Sequence, residues 1–141
     1  MLFRSPIVRT PKGTFISGAG LRSTDDGKTW IEIPKFPNLK EQGWRHEMVG
    51  LANGWLLASE IPGPGVGGEK LRYVISRDDG LTWGQTYEYY NPGRPIGGRA
   101  CPRTLQLDAD TLGVVFYDVE PKQDGGPAVF FLRIPLEKLS Q

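Results

Sequence analysis

Three carboxylates, Glu47, Glu60 and Asp118, and a run of arginines are the side chains here whose types and spacing suit chemistry. A pair of carboxylates can divide the work of acid and of nucleophile or base when their environments differ. Arg94, Arg99 and Arg103 fall in one short stretch that contains no acid. Guanidinium groups so clustered can grip a carboxylate bidentately. Trp44 and Arg45 stand just before His46 and Glu47, and an indole offers a flat face for a ring to stack on. Plainer readings stand beside these. Glu47 and Glu60 serve equally well as ion-pair partners of nearby arginines. Arg103 alternates with Leu105 and Leu107, the pattern of a solvent-facing strand position. His46 is the lone histidine and reads as structural, Trp55 reads as core, and Cys101 as a filler of a core gap.

The elements that must hold these groups are strands. Runs rich in Val, Ile, Leu, Phe, Tyr and Trp alternate with Gly, Pro, Asn and Asp clusters at intervals of about 8–12 residues, an all-β pattern. Strands are predicted at Pro6–Thr10, Thr14–Ser17, Gly20–Ser23, Trp30–Pro34, Met48–Ala52, Trp55–Glu60, Leu71–Ser76, Thr86–Tyr90, Arg103–Leu107, Leu112–Asp118 and Ala128–Ile134. One helical turn is expected at Leu136–Leu139.

Composition narrows the function classes. The 141 residues include 19 Gly and 12 Pro, well above average usage and without a period of three. With 17 basic and 16 acidic residues, the chain lacks the basic excess of a dedicated nucleic-acid binder. One cysteine and one histidine provide neither a disulfide framework nor a metal cluster, and no cofactor is indicated. Arg4, Pro6 and Arg9 interrupt the apolar run a signal peptide needs. No apolar run reaches membrane-spanning length. The compartment is left open.

A repeat organises the chain. Ser23-Thr24-Asp25-Asp26-Gly27-Lys28-Thr29-Trp30 recurs as Ser76-Arg77-Asp78-Asp79-Gly80-Leu81-Thr82-Trp83, identical at six of eight positions. Each octapeptide reads as a self-wired hairpin turn. Its Ser and Asp side chains bond nearby amides, its Gly accepts positive φ, and its Trp buries apolar surface. Calcium is a weaker reading of the acidic pairs, because that ion needs six to eight converging oxygens. Lys12-Gly13, Asn53-Gly54 and Asp108-Ala109-Asp110 each lead into a strand. Three repeats follow, at about 5–36, 45–92 and 100–139.

The pattern S-x-D-x-G-x-T-W is the Asp box, and two copies resemble the sialidase-like (BNR) β-propellers. Asn53–Glu60, a Gly/Pro loop and then LRYVISRDDGLTW resemble one sialidase blade. CPRTLQLDADTLGVVFYD followed by AVFFLRIPLEKL resembles the last blade. The resemblance implies a single partial propeller domain over 1–141, of about three four-stranded antiparallel blades, half of a six-bladed ring, with the last blade incomplete. It also implies a channel mouth shared by Trp44, Arg45, His46, Glu47, Glu60, Arg94, Arg99 and Arg103, suited to a glycan or other small anionic ligand.

A catalytic member would hydrolyse glycosides, with a carboxylate pair drawn from Glu47, Glu60 and Asp118 whose separation sets the stereochemistry. In one register the resemblance implies that Glu47 is the Glu that pairs with the family's Tyr nucleophile; in a competing register it implies that Trp44-Arg45 supplies a clamp arginine. That Tyr would fall at Cys101, and no Asp lies in the loop 61–69. A non-catalytic interaction module is therefore the alternative. At roughly 40–45 residues per blade, three blades fill the chain and leave open edges. Either it is a section of a longer propeller, or copies pair through those edges as a homodimer.

Overall fold

The structure is a computed structural model and describes residues 6–34, 47–59, 70–91, 93, 102–118 and 128–140. Eleven strands carry the fold: β1 Ile7–Arg9, β2 Phe15–Ser17, β3 Leu21–Ser23, β4 Ile31–Glu32, β5 Glu47–Gly50, β6 Leu56–Ser59, β7 Leu71–Ser76, β8 Thr86–Tyr90, β9 Arg103–Asp108, β10 Thr111–Asp118 and β11 Ala128–Pro135. A single 3₁₀ turn, Leu136–Ser140, follows. The strands make three antiparallel sheets, ordered β1-β2-β3-β4, β5-β6-β7-β8 and β11-β10-β9. Each is a meander in which chain neighbours pair, as short turn-punctuated strands favour. All eleven predicted strands are present, with ends shifted by a residue or two.

The chain divides into two compact units, Met1–Glu60 with Tyr73–Thr86 and Ile61–Arg72 with Tyr87–Gln141. In the first unit, side-chain alternation sends Val8, Ile16 and Ile33 of the first sheet into one core with Met48, Leu56, Ala58, Val74 and Trp83. Burial of one such side chain stabilises by about 1.5–3 kcal/mol. Gly50 on β5 lets the two sheets approach, since a Cβ there would lie 3.3 Å from Val8 Cγ2. Leu57, Tyr73 and Ile75, on the opposite face of β6 and β7, are also buried. Those strands therefore read as continuous apolar runs rather than alternating ones.

In the second unit, Leu112, Val114 and Phe116 of β10 point inward. Phe116 stacks on Phe130 at 5.3 Å, and Tyr90 tilts against Phe116 at 4.6 Å. The register shifts between Thr111 and Leu112, leaving Leu107 as the extra residue of a bulge. Where the other two sheets lead into an octapeptide, this one runs into the 3₁₀ turn. Leu136 and Leu139 of that turn are buried, and the Leu136 N–H donates to Asp110 O at 2.8 Å.

Gly80 and Gly27 have equivalent φ, +83° and +81°, in different surroundings. A Cβ on Gly80 would lie 2.9 Å from Ile16 Cδ1, whereas one on Gly27 would meet, among the described residues, only Trp30 at 3.7 Å. Gly27→Ala is expected to cost about 1–2 kcal/mol from φ alone. Gly80→Ala adds overpacking of about 1–3 kcal/mol, and urea denaturation of the two variants reads the difference.

Candidate functional site

Each octapeptide is wired alike. Ser23 Oγ donates to Asp25 Oδ1 at 2.8 Å and accepts from Gly27 N at 2.9 Å. Asp25 then accepts from Thr29 N at 2.9 Å and from Thr29 Oγ1 at 2.6 Å. In the second copy Ser76 Oγ donates to Asp78 at 2.9 Å and accepts from Gly80 N at 2.9 Å. Thr82 N and Oγ1 donate to Asp78 at 2.8 and 2.5 Å. Two consecutive positive-φ residues make the turn possible: Asp26 and Gly27 at +57° and +81°, Asp79 and Gly80 at +62° and +83°. The motif aspartate thus spends its oxygens inside its own turn. Hydrogen bonds from Thr29 and Ser23 hold the Asp25 carboxyl down at about 2.

The second acidic residue has two fates. Asp79 reaches across to the first sheet, where Oδ2 accepts from Thr14 Oγ1 at 2.6 Å and pairs with Arg22 Nη2 at 2.9 Å. Arg22 Nε also donates to the Asp79 backbone carbonyl at 3.3 Å. The side chains of Arg22 and Asp79 are 16% and 7% exposed. Burial raises the Asp79 carboxyl, but hydrogen bonds from Thr14, Thr10 and Arg22 and the Arg22 charge outweigh it and leave it below the usual carboxylate range. Asp26, its counterpart, meets Arg9 at 3.6 Å with its side chain 74% exposed.

The tryptophans divide in the same way. Trp83 packs into the first-unit core, while Trp30 is 39% exposed and its Nε1 donates to Gly27 O at 3.0 Å. Trp83 meets the expectation of packing on a neighbouring sheet, the first, contributed by another repeat, whereas Trp30 stays partly exposed. Arg77 lies over the Trp55 ring at 4.8 Å. Trp55 is half-buried there, at the surface rather than in the core.

The other candidate residues separate. Glu47 opens β5 in the first unit, half-buried and opposite Ser59. Asp118 ends β10 in the second unit, fully buried, and accepts from Tyr90 OH at 3.1 Å. Arg103 opens β9 in that unit, exposed, with Nη1 donating to Pro102 O at 3.3 Å. The described part of each unit thus carries one candidate acid. Trp44, Arg45, His46, Glu60, Arg94, Arg99 and Cys101 lie outside the described residues.

Sequence reasoning overlooked Thr14 and Arg22, which hold Asp79. Arg22 occupies a strand position that reads Ile75 in the second repeat, and nothing local marks either residue. Among the described residues no group of His, Cys, Asp and Glu is placed to hold a metal ion, and no helix is long and apolar enough to cross a membrane. Compared with protein-family models, curated proteins and solved structures, the chain matches none of them.

Asp79→Asn is expected to destabilise by about 3 kcal/mol, because it breaks a largely buried ion pair. Asp26→Asn should change stability by no more than about 0.5 kcal/mol, as at an exposed pair. Urea denaturation at neutral pH compares them. Asp25, Asp78 and Asp79 all have lowered folded values, so their stabilisation is present above the unfolded carboxyl value of about 3.9 and is lost as pH falls below it. An acid titration of stability should fall from about pH 4 towards pH 2, with a shallower fall in Asp79→Asn.

Proposed function

We propose that the chain is a section of a sialidase-like Asp-box β-propeller whose channel face recognises carbohydrate. The observation that carries this reading is the pair of equally wired Asp boxes. Each joins the third and fourth strands of a consecutive four-stranded meander. A propeller repeats this unit radially, with the first strand of each sheet nearest the axis. Under that layout Glu47 on β5 and Arg103 on β9 open the innermost strands of their sheets. The arginines of 94–103 would supply the grip for an acidic sugar, since a bidentate guanidinium pair recognises a carboxylate by shape as well as charge. Trp44 would supply a stacking face.

A specific observation favours the second reading, a non-catalytic interaction module. Asp118 is fully buried and engaged by Tyr90, so as placed it contacts no substrate. Hydrolysis would then rest on Glu47 with Glu60.

A glycan array with fluorogenic sialosides as a second arm separates these readings. Carbohydrate recognition predicts saturable binding that Arg99→Ala weakens by about tenfold or more, the equivalent of roughly 1.4 kcal/mol. Absence of binding to any glycan overturns it. Turnover that Glu47→Gln abolishes would assign the hydrolase, while binding without turnover would assign a lectin-like module.

A further inference from the structure

Within the first unit the second repeat docks on the first through a defined set of contacts. Asp79 bonds Thr14 and Arg22, Gly80 lies against Ile16, and Trp83 enters the shared core. The same turn in the first repeat presents Asp26, Gly27 and Trp30, which meet no such junction among the described residues. Among the described residues, one half of a repeat–repeat junction is therefore displayed on the first sheet without its receiving half.

The receiving half stands on the third sheet. Strand register makes the correspondence explicit: Ile16 opposes Arg22 on β2 and β3, and Gly113 opposes Arg133 on β10 and β11. Arg133 thus occupies the place of Arg22, and Thr111, two residues before Gly113, the place of Thr14. Gly113 takes the place of Ile16, with Leu107 and Phe131 closing over it at 3.0 Å from where a Cβ would stand. The surrounding face is apolar and open: Leu105, Phe131 and Val129 are 67%, 58% and 70% exposed. Arg133 is 64% exposed, with Asp108 at 4.0 Å. The Asp26–Arg9 pair at 3.6 Å is similarly loose. Donor and acceptor halves are complementary in charge, and the Asp26–Arg9 and Arg133–Asp108 pairs are both long and exposed.

We propose that a second copy of this chain docks its first sheet on the open face of the third sheet, with Asp26 bonding Thr111 and Arg133 as Asp79 bonds Thr14 and Arg22. The contact joins outward faces of two sheets rather than the strand edges. It rests on the repeat stacking within the first unit and stands whether or not the chain binds a glycan. One difference sets its strength. Asp108 occupies the place of Thr10 and already holds Arg133 and the Thr111 hydroxyl, so the arriving Asp26 must share that arginine with another carboxylate. Because the contact is heterologous, it closes into a finite ring or grows into open chains.

Sedimentation of the full chain up to about 100 μM tests this, a range that captures an association worth about 5.5 kcal/mol or more. Self-association is expected, and Asp26→Lys or Arg133→Asp alone should weaken it at least tenfold. The two changes together in one chain should restore it, which also shows that the variants fold. Asp108→Asn should tighten it. A monomer at every concentration, in which case another partner covers the face, overturns the proposal. So does association that neither charge reversal weakens.

Discussion

A buried carboxylate handed from one repeat to the next is the contact on which the first unit depends. Asp79 leaves the turn that Asp78 holds closed and meets a hydroxyl and a guanidinium on another sheet. The turn makes this possible by holding a non-glycine residue at φ +62°, a conformation that Asp and Asn tolerate better than most residues. Gly80, next in the same turn, removes the Cβ that would keep Ile16 away. Once that approach is made, Trp83, Ile16, Leu56 and Val74 share one core. The octapeptide is therefore two devices in one. The Ser, the first Asp and the Thr close the turn, while the second Asp, the Gly and the Trp dock it.

Much of this was legible in the sequence. Alternation of apolar runs with turn residues located every strand, and the repeated octapeptide located the turns that close two of the sheets. What could not be read was which copy docks. Asp26 and Asp79 sit in nearly identical local contexts, yet one is exposed and the other buried, because the difference lies in Thr14 and Arg22, more than fifty residues away from Asp79. Trp30 and Trp83 part for the same reason. Asp118 illustrates the opposite limit. An acid at the end of an apolar strand can equally be a solvent-facing catalyst or a buried partner, and its burial with a hydrogen bond from Tyr90, on a different sheet, decides it.

The self-contained wiring of the turns also orders the functional readings. The Asp boxes consume their own motif carboxylates, so any chemistry must come from elsewhere in the chain. Of the candidate acids, Asp118 is committed to Tyr90, and Glu47 begins the first strand of its sheet with partial exposure. Recognition by arginines and an aromatic face asks less of the chain than hydrolysis does, since it requires complementarity without a matched pair of titrating groups. The exposed apolar face of the third sheet places a separate demand on the molecule, which glycan binding under the proposed reading would not meet.

A double-mutant cycle between Arg22 and Asp79 tests the central claim most directly. Stability is measured by urea denaturation for the parent chain, Arg22→Met, Asp79→Asn and the combination. If the carboxylate joins the two repeats, the pair should show a coupling energy of about 2 kcal/mol, within the range found for residues in one buried network. Additive effects, with a coupling indistinguishable from zero, would contradict it.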